Sequence, residues 1–266
     1  MLRRNRDGAT GRPLELDLAT PTAAAGEPIR GELRGLAGPA DVTLLRVEVC
    51  PAGRLATPLV SSRVEPEGDR GGFELPVPAQ TPPGIDGPRC RLGFAVRART
   101  PVSGRNRSQV VMPVRMVGGD PPVHEATHLF DRMIASFPAR HFHVELADAL
   151  LEGGGWIKGR VHVSDDGAGP VDVIARCEEA WRTNFRFRNH RQPPLWHTDP
   201  LWSETQTVGR DPDRRWHPFA FAIPPGLPTA VEGYVVCWRY EVEARRRARV
   251  GPAERAVVTP LRFDIA

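Results

Sequence analysis

The chain has 266 residues, 40% of them apolar, 26% charged and 7% aromatic, enough to bury the core of one large domain or two ordinary ones. Its 26 glycines and 28 prolines break helix interiors, which excludes a helical bundle. The formal net charge of +4 does not by itself point to nucleic acid: Lys158 is the only lysine among 36 basic residues, and arginine usage that one-sided reflects genome composition more than phosphate binding.

Residues 1–12 read as a basic N-terminal tail. The start Met1-Leu2-Arg3-Arg4-Asn5-Arg6 has no apolar stretch after it, and no apolar run reaches the roughly eighteen residues of a membrane span, so a cytoplasmic protein without a membrane span is expected. From about residue 13 the apolar positions alternate, as in Leu14, Leu16 and Leu18, which puts every second side chain on one face of a strand. Strand-like segments separated by Gly and Pro clusters continue to about residue 118, and the pattern fits a two-sheet antiparallel sandwich. Pro78 and Pro82 mark a loop, because proline cannot donate to a ladder.

A linker follows over residues 119–140. Asp120 can cap a helix with Pro121 in its first turn, running to about Ser136 before Pro138. It carries His124-Glu125-Ala126-Thr127-His128, a match to the H-E-x-x-H pattern in which two imidazoles one turn apart share a zinc ion and the glutamate activates water. Val123, Ala126, Phe130, Met133, Ile134 and Phe137 form the apolar face of the same helix, which leaves His124 and His128 toward solvent and makes an ordinary amphipathic linker the preferred reading. A zinc hydrolase on His124, Glu125 and His128 stays as the enzymatic alternative. No catalytic residue, metal or cofactor is otherwise expected. Cys50, Cys90, Cys177 and Cys237 show no CxxC spacing and read as buried thiols.

From about residue 141 to 266 the first module repeats. Leu14-Glu15-Leu16-Asp17-Leu18 aligns with Phe142-His143-Val144-Glu145-Leu146, and Ile29-Arg30-Gly31-Glu32-Leu33 with Ile157-Lys158-Gly159-Arg160-Val161, both displaced by 142 − 14 = 128 positions. Phe73 to Pro78 aligns with Phe219 to Pro224 at 219 − 73 = 146, and that displacement persists through Gly87 with Gly233 and Phe94 with Tyr240. The second copy therefore gains 146 − 128 = 18 residues, which the sequence places between Cys177 and Phe219. This insertion, residues 181–217, interleaves Trp181, Trp196, Trp202 and Trp216 with Arg182, Arg186 and Arg188. Aromatic faces beside guanidinium groups suit protein hot spots and also stacked bases or anionic ligands. These seven residues are the candidate partner-binding set.

Phe219 to Pro228, followed by Val231-Glu232-Gly233 and Trp238 to Ala244, resembles the arrestin-domain pattern of a phenylalanine strand, a proline pair, a short loop and a tyrosine strand. Gly155 to Val163 is similar to that family's glycine-containing strand, and the first copy keeps the pattern through Pro28 to Leu33, Phe73 to Pro82 and Phe94 to Val96. The resemblance implies an all-β chain of two tandem antiparallel immunoglobulin-like or arrestin-like β-sandwiches, joined by a linker with a short α-helix. It also implies a non-enzymatic adaptor or scaffold that binds a protein partner through loops, sheet edges and the insertion, as bacterial relatives of that family do. A homodimer through a sheet edge is a further expectation, and nucleic acid is the less favoured ligand. Ala266 follows directly on a strand-like segment, so no autoinhibitory tail is expected.

Overall fold

The computed structural model describes residues 13–100, 108–117, 142–147, 150–152, 155–163, 170–185, 195–208, 216–246, 254–258 and 262–264. Within them all regular structure is strand, so no helix is present that is long and apolar enough to cross a membrane. The chain divides after Pro122, inside the expected linker, into two compact units. The linker helix itself, with His124, Glu125 and His128, lies outside the described residues.

The first unit holds β1 (Glu15–Leu18), β2 (Thr22–Ala24), β3 (Pro28–Arg34), β4 (Ala40–Cys50), β5 (Gly53–Val64), β6 (Arg70–Pro76), β7 (Ile85–Asp86), β8 (Arg91–Arg99) and β9 (Gln109–Val117). One sheet has the order β1-β3-β6; the other has the order β2-β9-β8-β4-β5, with β7 also on β8. The alternation seen in the sequence decides which side chains face inward: Leu16, Ile29, Leu33, Phe73 and Leu75 from the first sheet and Val42, Leu44, Phe94 and Val96 from the second are all buried. All pairs are antiparallel except β2 with β9, where the chain leaves the first sheet and joins the second.

The second unit repeats this plan with β10 (Phe142–Leu146), β11 (Leu150–Glu152), β12 (Trp156–Val163), β13 (Val171–Arg182), β14 (Trp196–Val208), β15 (Trp216–Ala222), β16 (Val231–Glu232), β17 (Val236–Arg246), β18 (Glu254–Val258) and β19 (Arg262–Asp264). Its sheets run β10-β12-β15 and β14-β13-β17 with β16 and β18 on β17, and β11 pairs in parallel with β19 as β2 does with β9. A single core joins Val144, Ile157, Val161, Phe219 and Phe221 of the one sheet to Val173, Ala175, Cys177, Tyr240 and Val242 of the other. Both units are thus β-sandwiches of one topology, and the duplication extends to single bonds. Ala19 N–H donates to Arg30 O at 2.9 Å as Ala147 N–H does to Lys158 O, also at 2.9 Å.

The shared glycine has a steric cause. A Cβ on Gly31 would stand 2.4 Å from Asp17 O and 2.6 Å from the Phe73 ring; on Gly159 it would stand 2.4 Å from Glu145 O and 2.5 Å from the Phe219 ring. In each unit the phenylalanine lies over the strand at the one position where no side chain intervenes.

The ladder registers also locate the extra residues. Arg46 stands opposite Phe94 and Cys177 opposite Tyr240, a displacement of 177 − 46 = 131. Val64 pairs with Ala40 and Val208 with Val171, a displacement of 208 − 64 = 144. Three of the added residues therefore precede β13, thirteen lengthen the β13–β14 hairpin, and two precede β15. The sequence comparison, which placed all eighteen between Cys177 and Phe219, missed the first three because short runs of β-branched and aliphatic residues align equally well in several registers.

Candidate functional site

The seven candidate residues separate into distinct places. Trp181, Arg182 and Trp196 sit at the root of the long β13–β14 hairpin, Trp181 opposite His197 and Arg182 opposite Trp196. Trp181 is buried, its ring 4.4 Å from that of His197. Asn184 clamps the root by accepting from Leu195 N–H at 3.0 Å and Arg182 Nε–H at 3.2 Å. Leu195 remains exposed next to this clamp. Trp202 stands opposite Cys177 and packs, partly buried, against the core. Arg186 and Arg188 lie outside the described residues. Trp216 belongs to none of the inserted positions: it opens β15 at the place of Arg70 and lies on the outward face of the other sheet.

That outward face is the most distinctive surface of the second unit. Reading across β10, β12 and β15, His143, His162 and Trp216 form one row and Glu145, Arg160 and Pro218 the next. Lys158 beside Ala220 and Trp156 beside Ala222 complete it. The Arg160 guanidinium carbon lies 4.2 Å from the Trp216 ring centre while its Nη2 meets Glu145 Oε2 at 2.7 Å, so one cation is held both by a π-face and by a carboxylate. His162 meets the same indole edge-on at 5.0 Å.

Beyond this cluster the floor is shallow. Pro218, Ala220, Ala222 and Ala147 are small and exposed, and Trp156, 56% exposed, stands at the far end. The row of Trp156 and the row of Trp216 are six residues apart along β12, about 20 Å. Lys158 rises between them, and no carboxylate among the described residues pairs with it. The free side of β15 is closed to strand addition, because Pro218 has no N–H and Ala220 N–H donates to Gln206 Oε1 at 3.3 Å.

The same face of the first unit is built differently. At the positions of Trp156, Lys158, Arg160 and His162 stand Pro28, Arg30, Glu32 and Arg34; at those of Trp216, Pro218, Ala220 and Ala222 stand Arg70, Gly72, Glu74 and Pro76. Its charges pair with one another: Arg30 Nε with Glu74 at 3.0 Å, Arg34 Nε with Glu32 at 3.0 Å, and Arg70 with Glu32 at 3.6 Å. Trp156 and Lys158 escaped the sequence reading because they lie outside the insertion; laying the two copies over each other sets Trp156 on Pro28 and Lys158 on Arg30, and Ala220 on Glu74, so the signal was an aromatic gained at the first position and a carboxylate lost opposite the second.

The opposite sheet of the second unit carries a second cluster on its outward side. Arg176 bridges Glu178 at 3.1 Å, Glu243 at 3.2 Å and Glu241, while Arg239 Nη2 meets Glu178 at 2.7 Å. Glu241 and Glu243 are buried, so the ion pairs satisfy charges that would otherwise be costly. On the core side Trp238 Nε1–H donates to buried Glu179 at 3.1 Å and the Tyr240 hydroxyl donates to Pro228 O at 2.9 Å. Burial pushes the Cys177 and Cys237 thiols up to about 12 and raises the Tyr240 hydroxyl as well.

No protein-family model matches the chain, and no curated protein sequence is detectably similar to it.

Proposed function

We propose that the chain is a non-enzymatic cytosolic adaptor of arrestin-like build, and that the β10-β12-β15 face holds an extended, acidic segment of a partner protein. One observation carries this reading. Two copies of one sandwich present the same sheet face, and only the second replaces a self-paired lattice of charges by two tryptophans, a small-residue floor and a lysine that pairs with no carboxylate among the described residues.

Charge indicates the partner. The first unit's face sets four carboxylates (Glu15, Asp17, Glu32, Glu74) against three guanidiniums (Arg30, Arg34, Arg70); the second sets Glu145 alone against Lys158 and Arg160. Shape indicates its conformation. A floor about 20 Å long accommodates about six extended residues, and the closed edge of β15 requires them to lie across the face instead of adding a strand. The tryptophans supply contact area at low side-chain entropy cost, and Lys158 supplies the charge that orients the segment. The root of the β13–β14 hairpin, where Arg182 and Trp196 are half-buried beside the exposed Leu195, is a second contact in the same reading.

An array of ten-residue peptides of fixed apolar content and graded net charge tests it with the full chain. Acidic peptides are expected to be retained, Trp156→Ala with Trp216→Ala to lose them, and Lys158→Glu to shift the preference toward basic ones. Retention indifferent to charge, or tighter capture of a single-stranded oligothymidine than of any peptide, overturns the reading.

A further inference from the structure

Cys50 ends β4 and Cys90 immediately precedes β8. The β4–β8 register runs through Arg46 opposite Phe94, Glu48 opposite Leu92 and Val49 opposite Arg91, and its next step sets Cys50 opposite Cys90. Opposite residues of an antiparallel pair share a sheet face, and here that face is the inward one, with Leu92 and Phe94 buried beside Cys90. Gly87 N–H donates to Cys90 O at 2.9 Å, so the backbone groups of Cys90 point toward β7 and away from β4. Cys50 and Cys90 therefore form a non-hydrogen-bonded cross-strand pair, the kind whose Cα atoms lie about 4.5 Å apart and whose side chains approach each other closely, within the span a disulfide bridges.

The other copy rules out a generic packing role. The positions equivalent to Cys50 and Cys90 are Trp181 and Val236, which are also opposite each other, so the sandwich does not need cysteine there. Cys177 and Cys237 have no such counterpart: Tyr240 stands opposite the first and Ala180 opposite the second. The structure shows all four as thiols, none in a disulfide.

We propose that Cys50 and Cys90 form a reversible thiol–disulfide site, oxidised by a small-molecule disulfide of the glutathione type. One cysteine, as thiolate, attacks the small disulfide and releases one small thiolate; the second then attacks the resulting mixed disulfide at the protein sulfur and releases the other. Two electrons pass from the protein to the small disulfide, and the two protons lost by the cysteines are taken up by the released thiolates. Both thiols are buried, but the pair closes the strand ends beside the Pro51-Ala52 turn and the Gly87 to Arg89 loop, where local opening of a sheet is easiest. The bond would tie β4 to β8 across a closed loop of about forty residues, which stabilises the sandwich by restricting its unfolded chain.

The experiment treats the full folded chain with oxidised glutathione, then alkylates in denaturant and maps peptides. Two of the four thiols are expected to be protected, with a mass loss of about 2 Da, a peptide joining Cys50 to Cys90 and a higher melting temperature that a dithiol reverses. Cys50→Ala and Cys90→Ala, each checked for folding by its circular dichroism, are expected to abolish the mass loss, whereas Cys177→Ala retains it. Four thiols still titrating, glutathione adducts without a crosslink, or a bridge joining any other pair overturns the proposal.

Discussion

The two sandwiches share a topology and even individual hydrogen bonds, yet each has exchanged the character of its outward faces. On the three-stranded sheet the first unit is a lattice of ion pairs and the second is aromatic. On the larger sheet the order reverses: Leu45, Val47 and Ala95 form a small apolar cluster in the first unit, where the second places Arg176, Glu178 and Glu241. The cores keep the shape that both copies need, whereas an outward face is free to change once the inward pattern is satisfied. Function is therefore best sought where the copies disagree.

The largest effect on stability should come from the swapped ion cluster. Arg176→Leu installs the residue of the first unit but leaves Glu241 and Glu243 buried with less countercharge, and is expected to cost about 3–5 kcal/mol in denaturant unfolding. Transplanting the whole set, with Glu178→Val, Arg239→Gly, Glu241→Ala and Glu243→Arg added, should bring stability back to within about 2 kcal/mol of the parent. A single change as mild as a surface substitution would show that the cluster is solvated, and the contrast between the faces would lose its energetic meaning.

A smaller and symmetric effect tests the duplication itself. Gly31→Ala and Gly159→Ala each force a methyl against a backbone carbonyl and a phenylalanine ring, and each is expected to cost about 2–3 kcal/mol in its own unit. Gly72→Ala, where a Cβ meets nothing within 4 Å, is the neutral control. Unequal effects of the paired changes would mean that the two glycines do different jobs.

Alkaline unfolding separates the units by a third, more gradual route. The thiols of Cys177 and Cys237 are held near 12 when folded and ionise near 8.5 when unfolded, so above that lower value the unfolded chain binds fewer protons than the native one. Stability of the second unit is then complete below about pH 8.5 and falls between there and pH 12, by about 1.4 kcal/mol per pH unit for each thiol. Urea midpoints measured from pH 8 to 11 should fall steeply for the parent and less steeply for Cys177→Ala; parallel curves would remove the thiols from the account.

The duplication, the strand periodicity and the proline-marked loops were legible in the sequence because inward-facing positions must repeat when a sandwich repeats. Two things were hidden. The eighteen extra residues looked like one insertion because aliphatic runs slide along each other without penalty, and only the ladder fixed Val171 opposite Val208. The aromatic face was missed because the search followed density of tryptophan and arginine along the chain, whereas Trp156, Lys158 and Trp216 converge only across neighbouring strands. Trp181, counted as a surface candidate, proved buried at the hairpin root, since its position on β13 points it inward beside Val236.

The smallest change in stability carries the sharpest test of the binding face. In the first unit Arg30 stands opposite Glu74 and bonds to it; in the second Lys158 stands opposite Ala220. Ala220→Glu gives the lysine the partner its counterpart already has. Both sites are exposed, so the new pair should alter stability by less than about 1 kcal/mol and less still in 1 M salt, as exposed pairs do. The same substitution occupies the charge that a partner's carboxylate would meet and places a carboxylate on the floor, so retention of acidic peptides should fall at least tenfold while the Trp156 and Trp216 rings stay in place. Glu74→Ala in the first unit, which frees Arg30 without supplying tryptophans or a floor, should gain no such retention. If it does, an unpaired cation alone explains the binding, and the aromatic face of the second unit is not what distinguishes the two copies.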